Sequence, residues 1–285
     1  MSGARTPLGL RQLSRLRNVA IVLTMITSAL KICIFLLTIC PIFAQVAPLP
    51  TNRVSKGAAE EREVSWKKIV PNFLDDQKNI WLFPTKVARG SHVFPTLGVL
   101  GVTGGLLAAD PIEGRYFRAN SDSFHRFDRI FAGTNTTAGI LAVPAAFYFI
   151  GLARKDSYSE HTALLSAEAV ADVEIPNVIL RLSTRRLRPA DVPVNGNFSD
   201  TWFDSGANPI KAKGSFASGH AASAFAIATI VARRYSNHRW VPFVAYGTAG
   251  FVAFTRVSTN AHFLSDAFFG SALGYTVGRF VVLRQ

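Results

Sequence analysis

Phe263–Leu283 reads FLSDAFFGSALGYTVGRFVVL, and this stretch decides the fold class. Alanine, leucine and phenylalanine recur at helical spacing, with no run of alternating β-branched residues long enough to argue a strand. Gly270, Gly274 and Gly278 stand four apart. They give one helix face without side chains, against which a neighbouring helix can pack closely in a membrane or in a soluble bundle.

The rest of the body repeats the pattern. Apolar stretches at 93–109, 138–153, 221–232 and 241–254 are separated by polar turns, and 159–188 forms a further helical stretch with Pro176 as an expected kink. The expectation is an all-α helical bundle of about six core helices. Most of the apolar stretches hold 14 to 17 residues, fewer than the roughly 20 that cross a bilayer, so the pattern fits a soluble or surface-bound periplasmic bundle or an integral one. The segment from Asp191 to Ala217 is rich in Asn, Gly, Asp and Ser, and a loop of that length in a compact bundle is usually functional or disordered.

The chain has 285 residues and a formal charge of +13, from 31 basic and 18 acidic side chains. With 49% hydrophobic residues it is too apolar for a disordered basic tail. Arg5, Arg11, Arg15 and Arg17 precede an apolar run from Val19 to Ala44 interrupted by Lys31. An all-arginine flank before such a run is a targeting signature, either a signal peptide or an uncleaved anchor with its arginines in the cytoplasm. Setting aside residues 1–45 leaves 26 basic against 18 acidic residues, a surplus of +8 on the body. The two cysteines, Cys33 and Cys40, both lie in the targeting segment, which excludes a disulfide framework and a cysteine metal site elsewhere. The expected organisation is 1–44 as signal peptide or anchor, 45–90 as linker and surface segment, and 91–285 as the catalytic domain.

Three blocks carry chemistry. In Arg181-Leu-Ser-Thr-Arg-Arg-Leu-Arg188-Pro189, a spacing of seven places Arg181 and Arg188 on one helix face, about 10 Å apart along the axis, with Pro189 ending the helix. Guanidinium forks that converge suit a phosphate. In Gly214-Ser-Phe-Ala-Ser218-Gly219-His220, Ser218 is a candidate N-cap. The amides near Gly219 would then face an anion, with His220 beside them. In Thr255-Arg256-Val-Ser-Thr-Asn-Ala-His262-Phe-Leu-Ser-Asp266, His262 and Asp266 stand four apart. On a helix the carboxylate would accept a hydrogen bond from one imidazole nitrogen and leave the other as a lone pair, ready to act as nucleophile or base.

Together the blocks resemble the type 2 phosphatidic acid phosphatase superfamily, which includes bacterial acid phosphatases and vanadium haloperoxidases. Its pattern is Lys-x6-Arg-Pro, then Pro-Ser-Gly-His, then Ser-Arg-x5-His-x3-Asp, in that order. The chain matches at Arg188, Pro189, Ser218, Gly219, His220, Arg256, His262 and Asp266, and departs at Arg181 for Lys, Ala217 for Pro and Thr255 for Ser. Arg181 keeps the charge, although a planar fork replaces a point charge.

The resemblance implies a phosphatase that hydrolyses a phosphate monoester or diphosphate without a metal or any other cofactor. His262 would form a phosphohistidine, oriented by Asp266, with His220 as general acid and base. Arg181, Arg188, Ser218, Gly219 and Arg256 would hold the phosphoryl oxygens. The expected partners are a phosphorylated lipid or small phosphoester and a membrane surface, not nucleic acid. The catalytic domain would lie outside the bacterial cytoplasmic membrane. Two alternatives share the residues: a vanadium-dependent haloperoxidase, and a non-catalytic protein that binds anionic lipid.

Overall fold

Small residues concentrate where helices must cross closely, and this organises the bundle. The computed structural model describes residues 62, 64–131, 133–204 and 214–284. The expected targeting segment at 1–44 lies outside the described residues. Eight α-helices occur among the described residues, with no strand: α1 (Ile69–Ala88), α2 (Val93–Ala119), α3 (Ser121–Ile130), α4 (Gly133–Arg154), α5 (Ser157–Thr184), α6 (Gly219–Arg234), α7 (Val241–Ser258) and α8 (Leu264–Thr276). A π-helical turn, Val277–Val282, continues α8. The all-α expectation holds. Residues 69–88, within the expected linker and surface segment, form α1.

The central helix is α6. Ala221, Ala222, Ala224, Ala226, Ile227, Ala228, Ile230 and Ala232 are all buried, because α5, α7 and α8 pack around it. The glycine face read in the sequence meets this helix. A side chain at Gly270 or Gly274 would overlap the carbonyls of Ser218 or Ala222, and one at Gly278 would lie 3.0 Å from Thr229 Cβ. Leu164, Leu165, Ala169 and Val173 of α5, Ala222, Ala226 and Ile230 of α6, and Val277, Val281 and Val282 close the main core.

Two helices are longer than their apolar stretches. The 93–109 stretch extends to Ala119 through Asp110 and Glu113, and α2 has 27 residues; α4 has 22. At 1.5 Å per residue these span roughly 40 and 33 Å, against about 30 Å of bilayer hydrocarbon. Both are long and apolar enough to cross a membrane. They turn Phe94, Leu97, Leu100, Ile112, Leu141 and Phe149 outward.

Helix α5 ends earlier than the sequence predicts. Arg185 adopts a left-handed conformation (φ 43°) and donates its backbone N–H to the Arg181 carbonyl, closing the helix at Thr184. Arg188 therefore does not share a helix face with Arg181. It lies in the loop that follows, before a single 3-10 turn at Pro189–Asp191.

Candidate active site

Backbone hydrogen bonds hold the three blocks together. The Ser215 N–H donates to the Arg186 carbonyl (2.8 Å), the Ala190 N–H to the Asn260 carbonyl (3.0 Å), and the Ser218 N–H to the Asp266 carbonyl (3.0 Å). The third block folds back on itself just after α7. Asn260 takes a left-handed conformation (φ 55°), which asparagine tolerates well, and the His262 N–H donates to the Arg256 carbonyl (3.0 Å). The x5 spacing between Arg256 and His262 is thus the length of a helix end plus its reversal.

His262 is buried immediately before α8 rather than on it. Its Nδ1 lies 2.7 Å from the Ser215 carbonyl and 3.8 Å from Asp266 Oδ2. The expected direct hydrogen bond to Asp266 is therefore replaced: the backbone of the second block takes that position. A carbonyl only accepts, so Nδ1 carries the proton and the neutral ring keeps its lone pair on Nε2. Asp266 supports this from behind. Its carboxylate accepts from Arg186 Nη1 (2.6 Å), from the Ser215 hydroxyl and from the Phe263 N–H (2.9 Å). Burial would raise the Asp266 carboxyl, but His262, Arg186 and Ser215 outweigh it and hold the group below the usual range. Burial lowers the His262 imidazole, against the pull of Asp266.

Ser218 caps α6 as the sequence predicts, its hydroxyl accepting from the Ala221 N–H (3.4 Å). His220 Nε2 faces the corner between α3 and α4, 2.9 Å from Thr137 Oγ1 and 3.2 Å from the Gly133 carbonyl. The Thr137 hydroxyl itself donates to that carbonyl (2.9 Å), so Nε2 is the protonated nitrogen of His220. The two imidazoles are thus set in opposite tautomers, one with an Nε2 lone pair and the other with an Nε2 proton. Burial, and then the charges of Arg256, His262 and Arg181, push His220 down to about 4.

The guanidinium groups of the blocks surround these rings. Arg256 is buried and donates to the Phe131 carbonyl and to Thr136 Oγ1 (2.9 Å). Arg181 pairs with Glu174 (3.0 Å). The Asn177 amide, turned so that donors meet acceptors, accepts from Arg181 (3.0 Å) and from the Gly219 N–H (3.2 Å). The expected Gly219 donor is therefore engaged within the protein. Arg188 acts electrostatically on Arg181, Arg256 and His262. The Nε atoms of Arg181 and Arg188 are buried without a hydrogen-bond partner. Three cations near two imidazoles, with unpaired donors among them, have the chemistry to hold an anion with several oxygens.

Sequence reasoning missed Arg186, Ser215, Thr137 and Asp110. In the sequence Arg186 points away from the face that Arg181 and Arg188 would share on a helix. It is nevertheless the buried one, bonded to Asp266 and Asp110 and stacked on Phe263. The visible signal for Asp110 was a carboxylate at the end of an apolar stretch.

Residues 160–285, which hold all three blocks, match the family model of the PAP2 superfamily. Among curated proteins, the chain is 40% identical over 68 residues to the lipid A 1-phosphatase of Porphyromonas gingivalis, an alignment covering 24% of this chain and 15% of that protein. Among solved structures, it matches the first transmembrane PAP2 type phosphatidylglycerolphosphate phosphatase from Bacillus subtilis at a TM-score of 0.43 and 20% identity. That match covers 65% of this chain and 92% of the other.

Proposed function

We propose that this protein is a membrane-bound phosphatase that hydrolyses a lipid phosphate through a phosphohistidine on His262. The observation that carries the reading is the convergence of Arg181, Arg188 and Arg256 on two imidazoles of opposite tautomer. Phosphoryl transfer needs positioned charge more than covalent chemistry from the protein, and this site supplies it.

The Nε2 lone pair of His262 attacks phosphorus. The bond from phosphorus to the ester oxygen breaks, and His220 delivers its proton to the departing oxygen. Water then attacks the phosphohistidine, His220 takes a proton from it, and the bond between phosphorus and Nε2 breaks to release inorganic phosphate. His220 is neutral in the empty site because burial, and then the neighbouring arginines, disfavour its charged form. An incoming phosphoryl dianion reverses that field and lets the imidazole hold a second proton.

A lipid substrate is favoured by the outward apolar faces of α2 and α4, which would cross the bilayer. The lipid A 1-phosphatase relative points the same way. The arginine-flanked apolar run at 19–44 supports an extracytoplasmic site. The test is phosphate release by the purified full chain in detergent from phosphatidic acid, lipid A, undecaprenyl diphosphate and p-nitrophenyl phosphate, side by side. Hydrolysis of a lipid substrate in preference to p-nitrophenyl phosphate is expected. Release from none of them would overturn the reading.

A further inference from the structure

Helix α2 presents an apolar surface outward, and its buried residues are Thr103, Asp110 and Gly114. The deepest contact is a carboxylate. Asp110 is fully buried and accepts from Arg186 Nη2 (2.7 Å), from the Ser265 N–H (3.1 Å) and from the Ser265 hydroxyl (2.5 Å). One turn further on, Gly114 lets α2 close on the aromatic ring beside His262. A Cβ at Gly114 would lie 2.9 Å from Phe263 and 2.8 Å from Phe198. A charged side chain on a helix of this composition is costly, and it marks function rather than packing. Replacing such a buried pair with apolar groups is often neutral or stabilising, so stability alone does not account for it.

The partner of Asp110 is the arginine that also holds Asp266. Arg186 is buried, stacks on Phe263 (4.1 Å) and Trp202 (4.7 Å), and donates through its other terminal nitrogen to Asp266 (2.6 Å) and Ser265 Oγ (2.8 Å). From Asp266 the chain of contacts runs through the Ser215 hydroxyl to the Ser215 carbonyl, which holds His262 Nδ1. Two carboxylates share one guanidinium, which leaves one net negative charge behind an imidazole that becomes cationic when phosphorylated.

We propose that Asp110 is a positioning residue for phosphoryl transfer: through Arg186, Asp266 and Ser215, α2 fixes the His262 ring and supplies the negative charge behind it. This rests on the phosphatase reading above. The charged and titratable groups around the imidazole are Asp266 of α8, Arg186 and Arg188 of the loop after α5, and His220 of α6. Asp110 and Glu113 of α2 lie behind Arg186.

The experiment compares Asp110→Asn with the charge-balanced double variant Asp110→Asn/Arg186→Met in the full chain. Loss of support for a reacting side chain usually costs about 10- to 100-fold in activity. Asp110→Asn is expected to lower kcat by that factor, with vanadate inhibition changed by much less. Removing one negative charge also moves the acid limb of kcat/KM, and the His262 titration followed by NMR, to lower pH. The double variant restores the net charge and is expected to return both to the wild-type position while kcat stays low; it also avoids a buried unpaired charge if Asp110→Asn alone fails to fold. Wild-type kcat in folded Asp110→Asn, or a kcat loss with the His262 titration unmoved in both variants, overturns the proposal. An inactive wild-type protein would overturn the phosphatase reading instead, and the His262 titration would still decide the role of Asp110.

Discussion

Filling the site with vanadate should raise the His220 imidazole. In the empty protein its pKa is pushed down to about 4, by burial first and then by Arg256, His262 and Arg181. A phosphate-like anion bound among those arginines adds an opposing charge near the ring. At an effective dielectric of about 20, a unit charge roughly 6 Å away contributes about 2.8 kcal/mol, or about two pKa units. His220 should therefore titrate near 4 without vanadate and about two units higher with it. NMR of the labelled imidazole, assigned by loss of the signal in His220→Gln, measures both values. The unfolded imidazole binds its proton near 6.5, so between about 6.5 and 4 the unfolded chain holds the extra proton. Stability contributed by neutral His220 is thus present above pH 6.5 and declines as pH falls towards 4. Vanadate should shrink that decline. A His220 pKa near its ordinary value in the empty protein, or one that vanadate leaves in place, refutes the electrostatic account of the site.

Other outcomes follow from the same contacts. Arg188→Ala removes a guanidinium with an unpartnered buried Nε and should lower kcat by about 10²-fold, measured on the hydrolysed substrate. Thr137→Val takes away the hydroxyl 2.9 Å from His220 Nε2 and should cost about 1 kcal/mol, roughly fivefold in kcat, with KM little changed. Gly274→Ala forces a methyl against the Ala222 carbonyl where α8 crosses α6. It should destabilise the bundle by about 1–3 kcal/mol, seen as a lower apparent Tm.

The sequence carried the helices and the three blocks because both are local patterns. Glycines four apart and a cap serine before His220 have one structural meaning each, and the bundle bears them out at Gly270, Gly274 and Ser218. Relations that depend on chain reversals were illegible. The left-handed residue Arg185 moved Arg188 off the helix, and the reversal at Asn260 took His262 off α8. Direct pairing of His262 with Asp266 was lost with it, and the Ser215 carbonyl took its place. The length of α2 was hidden for a related reason. Asp110 looks like the end of an apolar helix until its buried partner, 76 residues away in sequence, is brought beside it.

The central claim is that His262 takes up the phosphoryl group, and acid-sensitive, base-stable phosphorylation of that residue tests it most directly. Rapid mixing of the purified chain with a hydrolysed substrate, alkaline quench and peptide mass spectrometry should locate a transient phosphoryl group on His262. It should persist longer in His220→Ala and be absent in His262→Ala, which should also release no phosphate. Undiminished phosphate release by His262→Ala, or a phosphoryl group found on another residue, would contradict the account.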